Sequence, residues 1–129
     1  MATDKPDPEQ GQDRISAEEL LTQIKAWVGI ETPTDRPEAV NQLVDHVERY
    51  LRRLDVDVER RAGYGGRGDK LIARAPWGNR SERGILVIAH LDTVHRLGTL
   101  VTFPLRHEGN RLYGPGVYDM KSGGCMAIE

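Results

Sequence analysis

Residues 84 to 90 read GILVIAH, a continuous run of mostly branched apolar side chains that ends on a histidine. A strand that is apolar at every position, instead of at alternate positions, has to be covered on both faces, and helices are what cover such strands. The run therefore asks for an α/β arrangement. Its apolar part, ILVIA at 85 to 89, is far short of the ~20 residues that cross a bilayer.

Helical sequence precedes it. In ISAEELLTQIKAWVGI, from Ile15, Ser16 and Glu19 form a capping box and Ile15 can staple onto Leu20. Leu20, Leu21, Ile24, Trp27 and Val28 then share one face. The connection ETPTDRPE carries two prolines and ends this helix, and Pro37 stands near the start of the next, where its missing N–H costs nothing. The second helix is expected to run to about Leu54. Its apolar face is Val40, Leu43, Val44, Val47, Tyr50, Leu51 and Leu54, opposite His46, Glu48, Arg49, Arg52 and Arg53. His46 reads as a plain surface histidine.

The period then changes. DVDVER alternates, KLIARAP does so loosely, and GILVIAH reads as a strand buried on both faces. The intervening GYGGRGD resembles a phosphate-cradling loop only superficially, since neither a helix nor a Lys-Ser/Thr pair follows. VTFPLRHEGNRLYGPG predicts two short strands joined at Glu108-Gly109-Asn110, and a final helix starts around Lys121. The order predicts an incomplete three-layer α/β/α domain: first two helices, first strands, a hairpin and the start of the next helix. Residues 1 to 14 are polar, acidic and proline-containing, which predicts a disordered tail and leaves 15 to 129 as the folded portion.

With 38% hydrophobic and 29% charged residues the chain is neither fibrous nor wholly disordered. A net charge of -2 gives no general attraction to nucleic acid or to a membrane surface, and RYLRRL reads as the wet face of a helix. Cys125 is the only cysteine, so the chain can form no internal disulfide and no thiolate-rich metal site. That fits a reducing compartment, and the N-terminus has no apolar core of a signal peptide. A soluble, cytoplasmic protein is the expectation.

Chemistry concentrates where the apolar run stops. In extended chain residues two apart point the same way, so His90 and Asp92 project together at the carboxyl end of the run, where α/β sheets place their sites. A histidine held by a carboxylate has a fixed tautomer and a more basic free nitrogen, as a metal ligand needs. The bland alternative is a satisfied core histidine followed by a turn-forming aspartate. It loses ground to Asp119, framed by Gly114, Pro115, Gly116 and the Gly123-Gly124 pair in YGPGVYDMKSGG. His95 lacks the i, i+4 spacing to His90 that pairs ligands on a helix, and His107 lies beside the hairpin turn, so both read as surface residues. His95 is nevertheless close enough to touch a substrate. Cys125, among Met126, Ala127 and Ile128, reads as a small core residue.

HLDTVH followed by LYGPGVYDMKSGG resembles the paired signature of the di-zinc exopeptidase and deacylase family that contains glutamate carboxypeptidase, acetylornithine deacetylase, succinyl-diaminopimelate desuccinylase and aminoacylase. The resemblance extends back through TPTDRPEAVNQLVDHVERYLRRL and covers nearly all the chain after residue 14. It implies that His90 binds one zinc, that Asp119 bridges two, and that Asp92 is the catalytic carboxylate orienting His90. It also implies a cis peptide at Asp119-Met120. Two zinc ions, for which cobalt or manganese can substitute, would activate a shared water and polarise an amide carbonyl while a glutamate takes the proton.

The implied substrates are N-acyl amino acids or short peptides with a free carboxylate, and the complete protein is expected to be a homodimer. The family's general-base glutamate, its glutamate ligand, a further acidic ligand and a second histidine all lie beyond the segment that matches Asp119. Glu129 is too near to be any of these. The expectation is a fragment of a catalytic domain, inactive alone. Two alternatives stay open: a non-catalytic α/β binding or regulatory module, and a mononuclear metal binder using His90, Asp119 and His95.

Overall fold

A computed structural model describes residues 15 to 77 and 81 to 129 of the chain. The tail expected at residues 1 to 14 lies outside them. Helix α1 (Ala17–Val28) starts where its capping pattern puts it, with the Ser16 hydroxyl accepting from the Glu19 N–H at 3.3 Å. Its buried stripe is Ile24, Trp27 and Val28. Helix α2 (Pro37–Leu51) has Pro37 in its first turn and buries Ala39, Val40, Leu43, Val44, Val47 and Leu51. The helix stops at Leu51, short of the expected Leu54, because the Arg53 and Leu54 N–H groups bond back to Tyr50 and Leu51 and tighten the last turn.

The core is the seam between these helices and the last one. Ile24, Trp27, Val28, Leu43, Val47, Leu51 and Cys125 form one buried cluster. Around it lie partly buried side chains such as Val58, Leu71, Leu105 and Leu112. Strands β1 (Asp57–Arg61) and β2 (Lys70–Arg74) pair antiparallel with Glu59 opposite Ile72. After a single helical turn α3 (Thr99–Thr102), β3 (Arg106–Glu108) and β4 (Arg111–Tyr113) make the expected hairpin. A wide turn at Val117–Lys121 leads into α4 (Ser122–Ile128), which packs on α1 so closely that a side chain at Gly124 would sit 3.2 Å from the Trp27 ring.

The architecture is therefore mixed α/β, with helices beside two small antiparallel sheets. The apolar run is where expectation and structure part. Residues 85 to 89 belong to no strand, and Ile85 (96%), Leu86 (82%), Val87 (62%) and Ile88 (79%) are exposed, not buried. Among the described residues no strand pairs with this run: β1 pairs with β2 and β3 with β4, in two separate sheets. A cavity of about 860 Å³ lies beside the run, lined by Val40, Leu51, Leu71, Ala73, Leu86 and Ile128 and by polar residues that include His90 and Asp92. His46 also departs from the plain surface reading. It is half-buried, and burial, helped by Arg49 and Arg53, pushes its pKa down.

Candidate functional site

Two segments distant in sequence converge at the far end of the apolar run. The first is fixed by a parallel bridge between Pro33 and Thr93, through which the Thr93 N–H donates to the Thr32 carbonyl at 2.7 Å. This holds residues 90 to 93 extended, and His90 and Asp92 consequently share a side. The second is the turn that carries Asp119. Gly116 begins it at φ 77, a conformation that favours glycine, and a Cβ there would stand 2.6 Å from the Thr93 methyl. The two segments are thus in contact before either functional side chain is considered.

The turn is too wide for an α-helix: the Lys121 N–H reaches back to the Gly116 carbonyl at 3.0 Å, and Asp119 and Met120 leave helical angles altogether. The Asp119-Met120 peptide is cis. Asp119 is left exposed with its carboxylate aimed at His90, whose Nε2 lies 2.9 Å from Asp119 Oδ1. On the other side of the ring, His90 Nδ1 lies 2.9 Å from the Asp92 carbonyl oxygen and 3.3 Å from Asp92 Oδ1. All three residues singled out in the sequence are therefore brought together.

This geometry dictates the state of the ring. A carbonyl oxygen only accepts, so Nδ1 must carry the proton, and the neutral imidazole then presents a lone pair at Nε2. That lone pair faces a carboxylate, which also only accepts. The pair is stable only with a positive charge at or between the two atoms. Burial works against protonation of His90, but the Asp92 carbonyl and the Asp119 and Asp92 carboxylates outweigh it and raise its pKa. A proton or a metal cation answers the same need.

A cleft of about 220 Å³ opens over the pair, lined by Thr34, Asp92, His95 and Tyr118 among others. His95 is therefore at the cleft, as its position in sequence allows, whereas His107 sits on the hairpin within reach of Lys25. Cys125 is fully buried, and burial pushes its thiol up to about 11, as suits a core residue and not a nucleophile. The glycine loop after β1 closes on its own acid, with the Gly63 N–H donating to Asp69. Among the described residues no group of three or more His, Cys, Asp or Glu side chains is arranged to hold a metal.

Three residues that matter here carry no chemistry in the sequence reading. Lys121 is 1% exposed, and its ammonium donates to the Trp27 carbonyl at 3.1 Å and to the Ile30 carbonyl. Thr32 and Thr93 are buried beside it. A lysine inside an otherwise small and apolar helix start was the one available signal; the threonines gave none.

The fold and site together define a class: a mixed α/β chain in which a His-X-Asp segment and a glycine-framed aspartate meet to form a cation-seeking pair. Two curated proteins are similar to this chain in sequence. Carboxypeptidase G2 of Pseudomonas sp. strain RS-16 is 30% identical over 111 residues, which cover 85% of this chain and 26% of that protein. A Mycobacterium tuberculosis protein, provisionally named succinyl-diaminopimelate desuccinylase DapE, is 37% identical over 101 residues, covering 78% of this chain and 25% of its own. The chain thus spans about a quarter of the length of these curated relatives. No family profile matches it. Its homologues are hydrolytic enzymes, by name a carboxypeptidase and a desuccinylase.

Proposed function

We propose that this chain contributes part of the metal site of a zinc-dependent hydrolase acting on amide bonds of N-acyl amino acids or small peptides with a free carboxylate. The observation that carries the reading is the 2.9 Å approach of His90 Nε2 to Asp119 Oδ1 with the opposite ring nitrogen already committed to a carbonyl. An imidazole lone pair and a carboxylate are the donors that zinc takes. In this reading His90 and Asp119 hold the metal, with Asp119 spare in one oxygen for a second ion, and Asp92 fixes the tautomer of His90. Zinc in that place would supply Lewis-acid polarisation of the scissile carbonyl and a hydroxide nucleophile at neutral pH.

The chain's own residues then bind and orient. His95 and Tyr118 wall the cleft, where they can meet the substrate flanking the scissile bond. Two donors do not complete a catalytic zinc site, which takes three protein ligands, so hydrolysis belongs to a longer polypeptide and this chain alone is inactive. The same shortfall is the one observation favouring a non-catalytic module.

In the complete protein, chelation should abolish hydrolysis of N-acyl amino acids and zinc should restore it. His90→Ala or Asp119→Ala should each lower kcat/KM by at least ~100-fold, beyond the usual effect of altering a residue behind a ligand. Hydrolysis that survives both the chelator and His90→Ala would sink the reading.

A further inference from the structure

We infer that the segment joining α1 to α2, residues 29 to 34, acts with Lys121 as a brace that sets how His90 and Asp119 face each other, and that Lys121 is a positioning residue for that pair. The functional meaning of the pair rests on the cation-site reading above; the brace itself rests on contacts independent of it.

Both limbs of the site are bolted to the same short stretch. On the histidine limb the Thr32 hydroxyl donates to the Leu91 carbonyl at 2.8 Å. The Thr34 N–H and hydroxyl both donate to the Thr93 carbonyl at 3.0 Å. The residues on either side of Asp92 are therefore held. On the aspartate limb, the Lys121 side chain runs inward from the turn and spends its ammonium on Trp27 and Ile30 carbonyls, at the end of α1 and just beyond it. Where the limbs touch, a Cβ on Gly116 would meet the Thr93 methyl at 2.6 Å and Lys121 Cδ and Cε at 3.5 Å.

Burying an ammonium is costly, and filling the same space with an alkyl chain is not. What the charge adds is direction. The Trp27 and Ile30 carbonyls lie at the negative end of α1, so they fix the ammonium in one place and, through four methylenes, fix the turn two residues from Asp119. A lysine serving only to cap α1 would stabilise the chain without any effect on His90.

The test reads the His90 ring directly. In metal-free solution with chelator present, long-range ¹H–¹⁵N spectra of the histidine-labelled chain report the ring nitrogens. Lys121→Met should move both His90 ring ¹⁵N signals toward those of a solvent-exposed histidine and leave those of His107 in place. Val47→Ala, which loosens the core in α2 away from the site, should leave His90 unmoved. An unchanged His90 in Lys121→Met, or an equal displacement in Val47→Ala, overturns the inference. If Lys121→Met does not fold, Thr32→Val takes its place: it should displace the same signals and Thr32→Ser should restore them, and failure of either overturns it equally. Because no metal is present in this measurement, the two readings fail separately: hydrolysis by the complete protein that survives chelation and His90→Ala sinks the cation-site reading and leaves the brace standing, while an unmoved His90 does the reverse.

Discussion

Gly116 shows how much of the site depends on what a residue lacks. Its φ of 77 is a conformation that L side chains rarely adopt, and the space a Cβ would need is occupied by the Thr93 methyl at 2.6 Å. Gly116→Ala therefore faces two costs together, a left-handed backbone and a displaced neighbour, and should destabilise the chain by about 2 kcal/mol or more. The urea unfolding midpoint measures it. Since Thr93 is the residue displaced, the 2.9 Å approach of His90 to Asp119 should loosen along with the loss of stability, read as a displacement of the His90 ring ¹⁵N signals. A substitution tolerated without change in the midpoint would mean that the two limbs are not packed as described. The glycine was legible in the sequence as part of a tight frame around Asp119. Its contact with Thr93 was not, because nothing local to either residue records a neighbour so far along the chain.

At the scale of elements, ionic groups add to apolar packing in tying α2 to the β1–β2 sheet. Arg60 on β1 reaches Asp45 at 2.6 Å and Glu48 at 2.8 Å on α2, and Asp69 at 2.8 Å before β2. Arg60 and then Arg52 hold Glu48 below the usual carboxylate range; the Gly63 N–H and then Arg60 do so for Asp69. Backbone N–H groups of Gly98 and Leu100 do the same for Glu31. Carboxyls whose pKa is lower folded than unfolded contribute stability that is present above the unfolded value, ~4, and is lost as pH falls through the folded one. Unfolding midpoints should accordingly decline below about pH 5, and Arg60→Met should flatten that limb by returning Glu48 and Asp69 toward ordinary values. High salt should flatten it partly, since the groups are near solvent. An acid limb unchanged by Arg60→Met would show that these pairs do not tie β1 to α2. Elements themselves were the most legible part of the sequence: α1, α2, the hairpin and α4 follow from period, caps and turn residues. The strand expected at 85 to 89 fails for a physical reason. Apolar composition specifies that a segment should be covered but cannot supply the partner that covers it.

For the whole molecule that uncovered run is the dominant liability. Ile85, Leu86, Val87 and Ile88 are successive and exposed, and their backbone N–H and C=O groups lie outside any ladder. Such an edge is a template for another chain to pair with, and no proline or charge interrupts it between Ile85 and Ala89. The formal net charge of -2 gives little long-range repulsion to oppose the encounter. The chain on its own should therefore self-associate with rising concentration, seen as a weight-average mass by sedimentation velocity that climbs above the monomer's 14.5 kDa. Leu86→Glu with Ile88→Glu places two like charges on one face of the run and should return the chain to a monomer without lowering its urea midpoint, because neither side chain is buried in the core. Self-association that persists in this double variant would move the sticky surface elsewhere, and the exposed Val94, Val101 and Tyr118 would be the next to substitute. A wild-type chain that stays monomeric throughout would show that the run is no template for pairing.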